Sequence, residues 1–140
     1  MDLTFGIPIY NGEKYIEDLL NCFKKCDDLN YEILIVNDGS TDNSVEICKR
    51  YTELNIRIIN QKNGGVSKAR DAIIENTNSK WLTFVDVDDL IIFDSYVEAY
   101  KELLNGDYDF LINCEKEYDL HELIRTTIIN IVNHITRLMT

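Results

Sequence analysis

The chain has 140 residues, 45% of them hydrophobic, and a formal net charge of −11. That is ample apolar material for one domain with a core. The acidic balance argues against nucleic acid as a partner, because no basic patch stands ready to neutralise phosphates; a phosphate ligand held through a cation is still compatible with it.

The first strand starts almost at residue 1, so no signal peptide is expected. No apolar run reaches membrane-spanning length. Cys22, Cys26, Cys48 and Cys114 form no CxxC pair, and His121 and His134 lie far in sequence from Cys22 and Cys26. The cysteines read as reduced, mostly buried thiols of a cytoplasmic protein, not as a zinc site.

In chain order, LTFGIPI (residues 3–9) reads as a strand, with Pro8 near its end, where a missing N–H matters least. Tyr10-Asn11-Gly12 is a turn. Residues 13–25 carry Tyr15, Ile16, Leu19, Leu20 and Phe23 at helical spacing. YEILIV (31–36) is a second strand, broken at NDGSTD (37–42). There Ser40 or Thr41 is expected to cap a helix running to about residue 54, with Asp42 at its positive end and Val45, Ile47, Cys48 and Tyr51 inward. Residues 56–60 form a third strand and 61–65 a polar loop. Residues 66–76 form a helix with Ala69, Ala72 and Ile73 inward. WLTFV (81–85) is a fourth strand. Ser95 and Glu98 have capping-box spacing and open a helix to about Leu104. YDFLINC (108–114) reads as a fifth strand. Leu120, Ile124, Ile128, Ile131, Ile135 and Leu138 form a helical stripe over residues 119–139, despite many β-branched neighbours.

Strands alternating with helices, and apolar on both faces in the middle of the chain, predict an α/β fold: a mostly parallel sheet flanked by helices. In such sheets ligands bind beyond the carboxyl ends of the strands. Those ends fall at residues 8–11, 37–39, 63–65 and 86–89, so every polar cluster belongs to one edge. The last cluster, Asp86, Asp88 and Asp89, follows directly on a buried strand. Three carboxylates there repel one another unless a hard cation such as Mg²⁺ or Mn²⁺ offsets the repulsion; a polar turn is the plainer alternative. Asp38 could accept hydrogen bonds from a base or sugar, or stabilise its own turn. The N–H groups of Gly64-Gly65 could approach phosphate. Arg70 could reach the ligand or be a solvated helix residue, and Tyr10 could stack on a flat ring or simply pack. No GxxxxGK[ST], GxGxxG or GxSxG occurs, which sets aside P-loop, dinucleotide and nucleophile-elbow readings.

Four stretches in order, IPIYNGEKYI (7–16), EILIVNDGSTDNS (32–44), NGGVSKARDA (63–72) and WLTFVDVDD (81–89), resemble the family 2 glycosyltransferases with the GT-A fold. The resemblance covers roughly residues 3–113. It implies that the chain is the Rossmann-like, nucleotide-sugar-binding part of such an enzyme, truncated on its C-terminal side. Residues 1–114 would be the donor-binding domain, and residues 115–140 a helical segment packing on it or mediating association.

The resemblance also implies roles. Pro8, Ile9 and Tyr10 would line the base pocket and Asp38 would bond the base. Arg70 would lie near the diphosphate or support the acidic loop, Gly65 would belong to the donor-binding residues, and Asp86 would contact the ribose side. Asp88 would bind the metal, Mn²⁺ or Mg²⁺, and Asp89 would support that loop or the sugar. Asn37 stands where Asp is usual, and Asp71 where Asn is usual. The implied reaction is metal-dependent, inverting transfer from a nucleotide-diphosphate sugar, with a UDP-sugar foremost, to the hydroxyl of a sugar or lipid-linked acceptor. Family members continue well past residue 114 with an acceptor site and a catalytic base. Glu115, Glu117 and Asp119 are candidates for that base by chemistry alone. The alternatives are a truncated donor-binding domain or an association module with little transfer activity. Homo-oligomerisation or peripheral contact with the inner membrane face would then run through residues 119–139. A D-x-D phosphotransferase would want Thr or Ser close behind its aspartates, where this chain has Leu90-Ile91.

Overall fold

The structure, a computed structural model, describes residues 2–106. The expected strand at 108–114, the stripe at 119–139, the boundary at 114/115, Cys114, and Glu115, Glu117 and Asp119 lie outside the described residues. Within them the order is β1 (Leu3–Ile9), α1 (Ile16–Phe23), β2 (Tyr31–Asn37), α2 (Ser44–Cys48), β3 (Ile56–Asn60), α3 (Val66–Asn76), β4 (Trp81–Phe84) and α4 (Phe93–Asn105).

All strand pairs are parallel and the sheet order is β3-β2-β1-β4. The chain steps outward from β1 to β2 to β3, then returns to the far side of β1. Right-handed crossovers require the connecting helix to change face when the direction of travel reverses. The packing obeys this. Phe5, Ile7, Ile9, Ile33 and Ile35 pack with α1, α2 and α4 in one core, while Leu34 and Val36 pack with Ala69 and Ile73 of α3 in the other. The period-2 alternation of a strand thus divides β2 between two cores.

On the first face, Phe5, Phe23, Tyr31, Phe93 and Tyr96 form an aromatic cluster with centroids 5.0–6.3 Å apart, the separation at which edge-to-face rings attract. On the second face α3 approaches β1 over Gly6. A Cβ there would lie 2.5 Å from Ile73 Cγ2, so only glycine lets the helix down onto the strand. Pro8 lies two residues past the last β1–β4 pair, Gly6 with Phe84. Gly6 O accepts from Val85 and Ile9 O from Asp38, so the N–H that Pro8 lacks would have faced the β4 side, where the ladder has ended. β1 and β4 can therefore part at that edge.

Three helix starts differ from the sequence expectation. The Ser95/Glu98 capping box is not used: α4 begins at Phe93 with Ile92 as its N-cap and no side-chain cap, because Phe93 and Tyr96 are drawn into the aromatic cluster. Ser40 and Thr41 do not cap α2 either. Its N-cap is Asn43, and Asp42 takes the Ser44 N–H. That helix is also shorter than expected, ending at Cys48, after which Arg50 and Tyr51 bond three residues back. Ile47, Cys48 and Tyr51 are nonetheless buried. Val85 follows β4 instead of ending it, and α1 starts three residues late because residues 13–15 form a turn. Cys26 and Cys48 are buried free thiols and Cys22 is half-buried. Burial pushes the Cys48 thiol up to about 11, which leaves it protonated and unreactive.

Candidate functional site

Because every strand is parallel, the loops after β1, β2, β3 and β4 leave from one edge. The reversal between β1 and β4 makes a switch point, the place where an open α/β sheet has a crevice. Residues 10–15 and 85–92 flank it, and Asp38 stands one strand away.

Asp38 is only 2% exposed. Its Oδ1 accepts from Gln61 Nε2 at 2.7 Å and Gly64 N at 2.8 Å, and its Oδ2 from Gly65 N at 2.8 Å. Burial works against its charge, but the Gln61 amide and the Gly64 and Gly65 N–H groups outweigh that and hold its pKa below the ordinary carboxylate value. The N–H groups expected to approach phosphate are therefore already committed to Asp38. Gly65 instead serves as the hinge into α3. Its φ of 91° lies in the left-handed region, and its carbonyl accepts from Ala69 N.

Arg70, one turn into α3, donates from Nη2 to Asp86 Oδ1 at 2.9 Å, and its guanidinium lies 5.6 Å over the Phe84 ring. It is thus more than a solvated helix residue, since it ties α3 to the acidic loop. Asp89 N bonds Asp86 O at 3.0 Å and closes the turn. Val87, between the two aspartates, packs on the core, and its Cγ2 lies 2.9 Å from where a Cβ on Gly12 would sit. The D-V-D sequence therefore reads as carboxylate, anchor, carboxylate. Asp86 and Asp88 are exposed and Asp89 is half-buried. The three do not gather into a ready-made cage: among the described residues no group of three or more His, Cys, Asp or Glu could hold a metal ion.

Of the expected base-pocket residues, Pro8 and Ile9 are buried, and Ile9 belongs to the core. Only Tyr10, 54% exposed, presents a side chain to solvent.

Sequence reasoning missed a set of residues joining the β1 and β2 loops. Asn11 N donates to Ser40 Oγ at 2.9 Å, and Asn11 Oδ1 accepts from Thr41 N at 2.8 Å. Gly12 N donates to Ser44 Oγ and Glu13 N to Asp42 Oδ2, both at 2.9 Å. Glu13 in turn accepts from Asn43 N and Nδ2 at 3.2 and 3.1 Å. Ser44 Oγ also donates to Asp42 Oδ1. Asp42 is held below the usual carboxylate range: burial opposes ionisation but is outweighed by the Ser44 hydroxyl and the Glu13 and Ser44 N–H groups. The signal was present as two loops rich in Asn, Asp, Ser and Thr. Read locally, Asn11 and Gly12 belong to a turn, Glu13 to the following helix, and Ser40, Thr41 and Asp42 to the next helix start, because sequence alone does not show which loops are neighbours.

Residues 4–131 match Glycosyl transferase family 2. The chain is 39% identical over 112 residues to Glycosyltransferase GlyA of Streptococcus pneumoniae, covering 79% of this chain and 16% of that protein. The crystal structure of Staphylococcus aureus TarS 1-349 superposes with a TM-score of 0.71 and 32% identity, over 75% of this chain and 33% of that one. The same fragment in complex with UDP gives 0.66 and 30%, over 73% and 32%. In each case this chain spans about a third or less of the protein it matches.

Proposed function

This chain belongs to glycosyl transferase family 2, and from that premise we propose that it binds a nucleotide-diphosphate sugar, foremost a UDP-sugar, as the donor half of a transferase. The observation that carries the reading is the convergence at one sheet edge, beside the β1/β4 reversal, of Tyr10, Asp38, the Arg70–Asp86 pair and Asp88. The UDP complex of the TarS fragment supports the choice of nucleotide.

Tyr10 offers an exposed ring on which a base can stack. An ionised carboxylate has about four lone-pair sites, and three of those on Asp38 are filled from within the protein. One remains to accept a single N–H from the base edge. Arg70 holds Asp86 by its Oδ1, which fixes that carboxylate beside the ribose. Asp89 closes the loop that carries both.

A divalent metal fits this chemistry in one mode. Mg²⁺ or Mn²⁺ commonly takes one or two carboxylates and completes its shell with water and substrate phosphates. Asp88, exposed and with no hydrogen-bond partner among the described residues, suits that role, with the donor's diphosphate supplying further oxygens. When bound, the metal supplies Lewis-acid stabilisation of the charge that builds on the leaving diphosphate. Transfer proceeds by direct displacement with inversion, so no enzyme nucleophile is required. The acceptor is the hydroxyl of a sugar or a lipid-linked sugar, met on the cytoplasmic side. No described helix is long and apolar enough to cross a membrane.

The test is thermal. UDP with Mn²⁺ at a hundredfold excess over Kd adds about 2.7 kcal/mol of stability, and Asp88→Ala removes the shift. A wild-type chain whose melting temperature ignores every nucleoside diphosphate defeats the donor reading. A second, narrower reading is donor binding with little transfer. Robust turnover with added acceptors would defeat that one.

A further inference from the structure

The bonds between the β1 and β2 loops are unusual in their placement. Most join exposed groups: Asn11, Glu13, Thr41 and Asn43 are all at the surface. Water could satisfy those donors and acceptors, so the bonds contribute little to burial and instead fix geometry. Their position is specific. Asn11 is the residue after Tyr10, and Ser40 is two residues after Asp38. Asn11 also holds φ at 50°, a left-handed conformation that Asn tolerates better than most side chains. The chain of bonds continues inward: Ser40 N donates to Asn37 Oδ1 at 3.0 Å and Asn37 Nδ2 to Asn60 Oδ1 at 2.9 Å. It therefore runs from the tip of β1 across β2 to β3.

We propose that Asn11 is a positioning residue for the nucleotide base. Its clasp on Ser40 and Thr41 fixes Tyr10 and Asp38 relative to each other, so that ring and carboxylate meet the two parts of one base. This rests on the donor-site reading above. Glu13 is the outer half of the same clasp, through Asn43. Ser44, fully buried and bonded to Gly12 and Asp42, is its inner anchor.

The experiment titrates UDP with Mn²⁺ into four proteins by calorimetry: wild type, Asn11→Gly, Asn11→Asp and Thr4→Val. Glycine removes the Asn11 acceptor without straining the positive φ. Aspartate keeps an acceptor oxygen. Thr4 is a stability control at the other end of β1, roughly 17 Å from Ile9 at strand rise. It bonds Glu32 and Ser79 and accepts from Thr77, so Thr4→Val lowers the melting temperature without touching the clasp.

The expected result is about tenfold weaker binding for Asn11→Gly, the equivalent of one to two neutral hydrogen bonds. Asn11→Asp should return to within about threefold of wild type on the same basis, and Thr4→Val should bind as wild type does. Amide exchange in the ligand-free chain should quicken in Asn11→Gly at residues 10–13 and 40–43 while β2 stays protected. Two results overturn the clasp alone: Asn11→Gly binding as tightly as wild type, or Thr4→Val weakening binding as much as Asn11→Gly does. A wild type that binds no UDP overturns the donor site itself and this inference with it, and the wild-type titration reports that failure separately.

Discussion

Replacing Asp38 by Asn isolates one carboxylate with a well-defined environment. The side chain keeps its size, but its amide now faces three N–H donors, from Gln61, Gly64 and Gly65. Hydrogen bonds to a charged acceptor contribute about 1.5–3 kcal/mol each. Gly64 and Gly65 are exposed and regain water when released, so the net loss is far below the sum, about 2–3 kcal/mol. At roughly 3 °C per kcal/mol for a domain near this size, the melting temperature falls by about 6–9 °C. The sign of the pH dependence is fixed by the depressed pKa. A carboxylate held below its unfolded value stabilises the fold fully above that value, near pH 4, and loses the contribution as pH drops through the folded pKa. The wild-type advantage over Asp38→Asn should therefore be constant from about pH 7 to 5 and shrink below about pH 4. Asp42, depressed in the same direction, is present in both proteins and cancels. Calorimetric melts of the pair across that range are the assay. A melting difference unchanged at low pH would refute the claim that the Asp38 charge holds the Gly64-Gly65 loop.

Gly6→Ala forces a Cβ to 2.5 Å from Ile73 Cγ2 and should cost about 1–3 kcal/mol by overpacking. The double variant with Ile73→Ala should lose less than the sum of the singles in denaturant titrations. Arg70→Ala breaks a half-exposed ion pair with Asp86 and should change stability by less than about 1 kcal/mol. Calorimetry should nonetheless show weaker UDP–Mn²⁺ binding, and unaltered affinity would remove Arg70 from the donor site.

Strand positions could be read from the chain because buried parallel strands are continuous apolar, β-branched runs, and β1, β2, β3 and β4 all begin where those runs do. The helix α3 was legible to the residue, since Ala69, Ala72 and Ile73 repeat at helical spacing between two clear breaks, Gly65 and Thr77. Helix starts were less legible. Local capping at Ser95 lost to the aromatic cluster that claims Phe93, and Ser40 and Thr41 were taken by Asn11 from a loop 30 residues away. In the site, the acidic residues after β4 were visible as a cluster. What they bond was not: Arg70 reaches Asp86 across 16 positions, and Asp38 reaches Gly65 across 27.

By itself the sequence determined which segments are strands, that they are parallel, and that the polar loops share an edge, because burial on two faces and chain order leave few other arrangements. Only the tertiary structure decided which loop residue bonds which. Asn, Asp, Ser, Thr and Gly satisfy a turn equally well from within or from a neighbour. The choice between them depends on which strand ends lie side by side in space, and no local pattern encodes that.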